Sequence, residues 1–210
     1  MQEMKPQEIE KRSFAIIAQE LEGRVFPAGQ DAIVRRVIHT TADFDYADNL
    51  LFSESAVTQA HEALRAGAVI VTDTNMALAG VNKRALSQLG CTARCFMAEP
   101  DVADEAKARG VTRAAVSAER AARLPGPLIF ACGNAPTALL RLHELIEAGK
   151  ASPALVIGVP VGFVNVVEAK ELFLRGETPY IIARGRKGGS NVAAAIVNAL
   201  LYQLVEREGF

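Results

Sequence analysis

Three short apolar bursts constrain this chain more than any other feature: Val69-Ile70-Val71-Thr72, Leu128-Ile129-Phe130-Ala131 and Leu155-Val156-Ile157-Gly158. A strand that reads as an unbroken hydrophobic run is covered on both faces, and that environment belongs to interior parallel strands with helices above and below. Residues 93–97 form a weaker fourth candidate. Pro179-Tyr180-Ile181-Ile182-Ala183 makes a fifth if Pro179 stands at the strand entrance, where its missing N–H costs no ladder bond. Between the bursts the apolar period changes to that of a helix. Ala56, Val57, Ala60, Ala63 and Leu64 make one apolar face ending at Gly67, and Ala138, Leu139, Leu142, Leu145 and Ile146 make another ending near Gly149. Asp101 is expected to cap a short helix that stops at Gly110, and residues 192–204 read as a final apolar helix. The alternation predicts a three-layer α/β/α sandwich around a five-stranded, mainly parallel sheet, with ligand sites at the carboxyl ends of the strands.

A length of 210 residues, half of them apolar, suffices for one substantial core, so a single domain over residues 1–210 is expected. The formal charge of −1 argues against broad adhesion to nucleic acid or membrane, while leaving local arginine clusters free to bind an acidic small molecule. Residues 1–10 are polar and charged, with no secretion signal, and the apolar stretch 153–167 is interrupted by Pro160, two glycines and Asn165. That stretch is shorter than the roughly 18 residues of a spanning helix, so a soluble cytoplasmic protein is expected. Cys91, Cys95 and Cys132 are an odd set that gives no disulfide framework. No second Cys/His pair stands near Cys91 and Cys95, so no metal site is expected.

Chemistry concentrates in two places. The run Arg35-Arg36-Val37-Ile38-His39-Thr40-Thr41-Ala42-Asp43-Phe44-Asp45 supplies a proton carrier together with guanidinium, hydroxyl and carboxylate groups. The loop Ala183-Arg184-Gly185-Arg186-Lys187-Gly188-Gly189-Ser190 combines glycines, which let backbone amides approach a ligand, with cations that neutralise carboxylates or phosphates. It is an anion cradle or an exposed basic loop, and it is not a Walker A sequence. Three strand-to-helix junctions, at residues 73–76, 132–137 and 158–162, are expected on the same rim, with Asn134 a possible cap and Pro136 in a first helical turn.

Four ordered blocks then carry a close resemblance. Ile38-His39-Thr40-Thr41-Ala42-Asp43, Cys132-Gly133-Asn134-Ala135-Pro136-Thr137-Ala138-Leu139, Gly158-Val159-Pro160-Val161-Gly162-Phe163-Val164-Asn165 and Gly185-Arg186-Lys187-Gly188-Gly189-Ser190 together resemble the precorrin-8X methylmutase family, called cobalt-precorrin-8 methylmutase in the cobalt-early pathway. The resemblance runs from the first helix almost to the carboxyl terminus. It implies a flavodoxin-like arrangement, a homodimer, and an isomerase that moves a methyl group from C-11 to C-12 of a corrin precursor, giving hydrogenobyrinic acid or cobyrinic acid. The methyl group is already on the substrate, so no cofactor, metal ion or methyl donor is implied. By the same resemblance His39 is the catalytic histidine, protonating or hydrogen-bonding the ring-C side of the macrocycle. Arg12, Ser13, Thr74 and Arg113 look like substrate-binding residues, joined by Asn134, Arg186 and Lys187 from the matched blocks. Thr41 and Asp43 complete the substrate-binding set, better placed to orient the His39 loop than to attack a substrate, with capping of the loop as the plainer alternative.

Other polar residues receive structural readings. His61 and His143 fit polar stripes of amphipathic helices, Glu168 and Glu171 an exposed face or subunit contact, and Met76 and Met97 irregular apolar space at strand ends. Phe163, Val164, Val166 and Val167 suit an interface or the core. Two other functions are open on the residues alone: a noncatalytic tetrapyrrole-binding or carrier protein, occupied without conversion, and a nucleotide-dependent transferase.

Overall fold

The computed structural model describes residues 5–206. The chain opens with α1 (Pro6–Glu20), α2 (Gln30–Thr41) and the single turn α3 (Tyr46–Asn49), which leads into β1 (Leu50–Phe52). Then follow α4 (Ala56–Arg65), β2 (Val69–Thr72), α5 (Asn75–Gly80), α6 (Lys83–Gln88), β3 (Thr92–Arg94), α7 (Pro100–Arg109) and α8 (Arg113–Ala122). The carboxyl-terminal half comprises β4 (Leu128–Cys132), α9 (Pro136–Glu147), β5 (Leu155–Gly158), α10 (Val166–Glu171), β6 (Tyr180–Ala183) and α11 (Ser190–Tyr202).

The strands form one sheet in the order β1-β6-β5-β4-β2-β3. Five are parallel, and their order is the flavodoxin-like 2-1-3-4-5 when the parallel strands are counted by themselves. The sixth strand, β1, pairs antiparallel with β6 through Leu50 opposite Ala183 and Phe52 opposite Ile181. Five strands were expected and six are present among the described residues, because the three residues of β1 give no periodicity by which sequence could separate them from a loop. The fourth expected strand lies earlier, at Thr92–Arg94, and Cys95 to Met97 have left the ladder.

The apolar bursts are buried for the expected reason. Along β4, Ile129 and Ala131 enter one core cluster while Leu128, Phe130 and Cys132 enter the other. β5 divides in the same way, with Leu155 and Ile157 on the first side and Val156 on the second. The first core is covered by α1, α2, α4, α5, α6 and α11, and the second by α7 to α10, so the strands alternate between two apolar layers instead of between core and water. Each valine, leucine, isoleucine or phenylalanine so enclosed contributes about 1.5–3 kcal/mol.

Helix ends follow mostly as expected. Gly67, Gly110 and Gly149 all adopt left-handed conformations after α4, α7 and α9, and Pro136 opens α9. Two expected caps are corrected. The α7 cap position is Glu99, and Asp101 sits inside the helix with its carboxylate on Arg120. The cap position of α9 is Ala135, since the Asn134 amide nitrogen points back at Asp73. On the outer layer, buried Glu119 of α8 accepts from Arg109 of α7 and Arg141 of α9 at 2.7–2.8 Å, and these cations hold its carboxyl down at about 2.

The tightest tie between strands is made by a side chain. Asp73, directly after β2, is 1% exposed, and its carboxylate accepts the backbone N–H groups of Gly133 (2.8 Å), Asn134 (2.7 Å) and Ala135 (2.6 Å) beyond β4. Three consecutive loop donors are satisfied by one buried carboxylate, an arrangement of charge-assisted bonds. The Cys132 thiol, fully buried, donates to the same carboxylate at 3.3 Å, and burial pushes its pKa far up, so it stays protonated. Asp73→Asn removes the charge and sets an NH2 group in place of one carboxylate oxygen, against at least one of the three N–H donors. It is expected to destabilise the fold by roughly 2–4 kcal/mol in urea unfolding, and an unchanged midpoint would show that the tie contributes nothing.

Candidate active site

Because five strands are parallel, their carboxyl ends share one edge, and bonds between the following loops show that the expected junctions meet there. Asp73 reaches the 133–135 loop, Val161 N–H donates to Gly133 O, and Gly189 N–H donates to Val159 O at 2.8 Å. Thr74 Oγ1 lies 2.7 Å from Ser190 Oγ while accepting the Ala77 amide as the cap of α5. Two glycines are required by this closeness. A Cβ on Gly133 would stand 2.7 Å from Ser190 Cα, and one on Gly188, at φ +159°, would meet Val159 O.

The helix that carries His39 leads into this edge, where the turn after it meets Lys187. His39 lies in the last turn of α2, whose buried face of Ile33, Val34, Val37 and Ile38 packs on the core and leaves the imidazole half-buried. The chain beyond it, residues 41–49, lies at the carboxyl end of β6, where Asn49 O accepts from Arg184 N–H at 2.7 Å. The imidazole stacks on Phe14 of α1, with ring centroids 5.0 Å apart and planes 8° from parallel. Arg36, one turn earlier, lies 4.7 Å over the same Phe14 ring and pairs with Glu10 at 2.7 Å. Burial, then Arg36, lowers the His39 pKa, and Glu10 opposes them. The resting side chain is therefore a neutral imidazole near pH 7, able to accept or donate a hydrogen bond.

The glycine-rich basic loop is pinned from below and from the side. Lys170 of α10 is 1% exposed, and its ammonium donates to Gly185 O and Lys187 O, both at 2.8 Å. Burial pushes its pKa down to about 8, which still leaves it mainly charged at neutral pH. From the side, Lys187 bridges Asp43 (2.7 Å) and Asp45 (2.6 Å), and both carboxylates raise its pKa. The loop is thus tied to the turn that follows His39. Arg186 is exposed and lies over the Phe163 ring at 5.5 Å, and Phe163 itself is 81% exposed.

The remaining candidates fall around this edge. Thr41 donates to Val37 O and accepts from the Asp43 amide, which makes it part of the turn after α2. Asp43 caps that turn through the Asp45 amide, and its bond to Lys187 holds its carboxyl below the usual range. Ser13, beside Phe14, donates to Ile9 O within α1, and Arg12 is exposed on the same helix. Arg113 is exposed at the start of α8, near Met97 O and across the edge from His39. The Asn134 side chain is exposed above its Asp73-bound backbone.

Sequence reasoning passed over Asp73 as a keystone and over Lys170, Glu10 and Phe14 altogether. Lys170, in the run Val166-Val167-Glu168-Ala169-Lys170, reads as an ordinary helix lysine until the fold buries it. Two structural readings are corrected. Met76 is 73% exposed at the edge instead of filling apolar space. His61 is half-buried, and its Nε2 is enclosed without a hydrogen-bond partner. His143 packs edge-on against Phe173, in a cleft of about 620 Å³ at the opposite end of the strands. Among the described residues no cluster of His, Cys, Asp and Glu is placed to hold a metal ion, and no helix is long and apolar enough to cross a membrane.

Comparison with known proteins agrees with this geometry. The sequence model of the family described as precorrin-8X methylmutase matches residues 8–203. Cobalt-precorrin-8 methylmutase of Salmonella typhimurium is 47% identical over 209 residues, covering 96% of this chain and 97% of the relative. Precorrin-8X methylmutase of Pseudomonas aeruginosa is 43% identical over 200 residues, covering 92% and 94%. The crystal structure of a precorrin-8X methylmutase from Thermus thermophilus superimposes with a TM-score of 0.85 at 42% identity, covering 93% of this chain and 94% of that one. A match that spans the helix bearing His39, the Asp73-tied junction and the pinned basic loop places this chain in the precorrin-8X methylmutase family of methyl-migrating isomerases.

Proposed function

We propose that this protein moves a methyl group from C-11 to C-12 within one molecule of precorrin-8X or cobalt-precorrin-8, yielding hydrogenobyrinic acid or cobyrinic acid. The observation that carries the reading is the His39 imidazole, half-buried and stacked on Phe14, on a helix whose following turn is tied to the basic loop through Lys187, in a chain that matches methylmutases over nearly its whole length. The bond from the methyl carbon to C-11 breaks as the bond to C-12 forms, and no atom is gained or lost. The enzyme therefore needs no methyl donor. Its tasks are to hold the macrocycle in one reactive geometry and to stabilise the shifted conjugation.

His39 performs the second task by giving a proton or a strong hydrogen bond to the ring-C side, worth roughly 10²- to 10⁴-fold for a positioned acid. Exposed Arg12, Arg113 and Arg186 perform the first through the substrate's carboxylate arms, with Ser13, Thr74 and Asn134 as neutral partners. Thr41, Asp43 and Lys187 hold the His39 turn against the basic loop, so the Lys187 charge reaches a ligand only in competition with Asp43 and Asp45. A carrier that binds without conversion is not favoured, because the family is one of isomerases.

His39→Ala is expected to lower the rate of methyl migration by 10² or more, read by product absorption, while corrinoid binding and thermal unfolding stay near those of the unaltered protein. His39→Asn keeps polarity and loses proton transfer, so it should bind and fail to convert. Conversion by either variant near the normal rate would defeat the role. We also read the protein as a homodimer, with exposed Phe163 and Val164 available to the subunit contact, whereas Val166 belongs to the core. Light scattering should give the mass of two chains across the active concentration range, and a monomer there would reject this reading.

A further inference from the structure

We propose that Arg36 is a positioning residue for His39: fastened by Glu10 and by the rings of Phe14 and Tyr202, it fixes a positive charge beside the imidazole and so governs when that ring takes up a proton. The proposal rests on the catalytic reading of His39. The geometry is that of a built support. The Arg36 and Glu10 side chains are only 17% and 16% exposed and meet at 2.7 Å. The guanidinium also lies 4.7 Å over Phe14 and 5.4 Å over Tyr202, so its place is set from α1 and α11 together. Phe14 in turn stacks on His39, so one aromatic ring contacts both the imidazole and the cation.

The arrangement runs against the default of its own helix. A histidine in the last turn faces the negative end of the helix dipole, which favours the imidazolium. Arg36, three residues earlier and thus on the same side, pushes the other way and joins burial in keeping the ring neutral. Glu10 of α1 is the opposing group. The ionisable groups of α3 are engaged elsewhere, Tyr46 within the Asp43–Lys187 cluster and Asp48 with Arg24, and α11 presents the Tyr202 hydroxyl, which accepts from Asn82. Without ligand, burial and Arg36 favour the neutral ring and Glu10 opposes them. A polycarboxylate arriving at the edge adds negative charge and reverses that balance, so protonation of the imidazole becomes coupled to occupancy of the site.

The test is an NMR titration of the ¹⁵N-labelled His39 side chain in the substrate-free full chain, compared among the unaltered protein, Arg36→Met, Arg36→Lys and Glu10→Gln. Arg36→Met should raise the protonated fraction at a fixed pH near the midpoint several-fold, Arg36→Lys should restore most of the original behaviour, and Glu10→Gln should lower that fraction. An unmoved midpoint in Arg36→Met, or a rise in Glu10→Gln, would overturn the proposal. The Glu10→Gln arm decides by itself if Arg36→Met fails to fold. In turnover, the pH profile of kcat for Arg36→Met should move with the NMR midpoint while KM changes less. A moved midpoint with an unmoved kcat profile would leave the hold of Arg36 on His39 standing and overturn the catalytic reading beneath it.

Discussion

The Asp73 carboxylate is the interaction on which the arrangement of the site depends. Parallel strands bring their carboxyl ends to one edge, but the sheet alone does not decide how the loops beyond that edge are folded, since each loop carries unpaired N–H groups that water could satisfy in many conformations. Asp73 removes that freedom by gathering three consecutive amides into one buried anion. With the 133–135 loop fixed, Gly133 can lie against the backbone of Gly189 and Ser190, and the start of α11 is set against Thr74. The order of dependence runs from a carboxylate, to a loop, to the helix that carries the basic segment into place.

Charge is then distributed by depth. The buried cation Lys170 bonds to loop carbonyls, the half-exposed Lys187 bonds to Asp43 and Asp45, and the candidate arginines Arg12, Arg113 and Arg186 are exposed. Lysine suits the inner positions because a compact ammonium can satisfy convergent oxygens, whereas the arginine fork suits a carboxylate approached from solvent. A cationic edge therefore arises in a chain whose formal charge is −1. The net charge of the whole chain says little about the charge at the site.

Much of this was legible in the residues. Unbroken apolar runs such as Leu128 to Cys132 announce strands covered on both faces, and the glycines after α4, α7 and α9 announce where helices stop. The antiparallel β1 was not legible, because its three residues acquire strand geometry only from β6 beside them. The site divided similarly. His39 and the basic loop stand out by residue type and by their family blocks. Asp73 and Lys170 do not, since an aspartate after a strand and a lysine in a helix are ordinary until the fold buries them. Phe14 reaches His39 and Glu10 reaches Arg36 across a helix pair, contacts that neither spacing nor composition encodes.

The central claim is that the macrocycle lies across the carboxyl edge of the sheet with ring C at His39. A crystal structure of the protein with its corrin product bound tests this most directly. The account predicts the ring-C edge within hydrogen-bond distance of the His39 imidazole, with carboxylate arms on Arg12, Arg113 or Arg186. A macrocycle seated instead at the opposite end of the strands, in the cleft of about 620 Å³ lined by His143, Phe173 and Pro179, would contradict it.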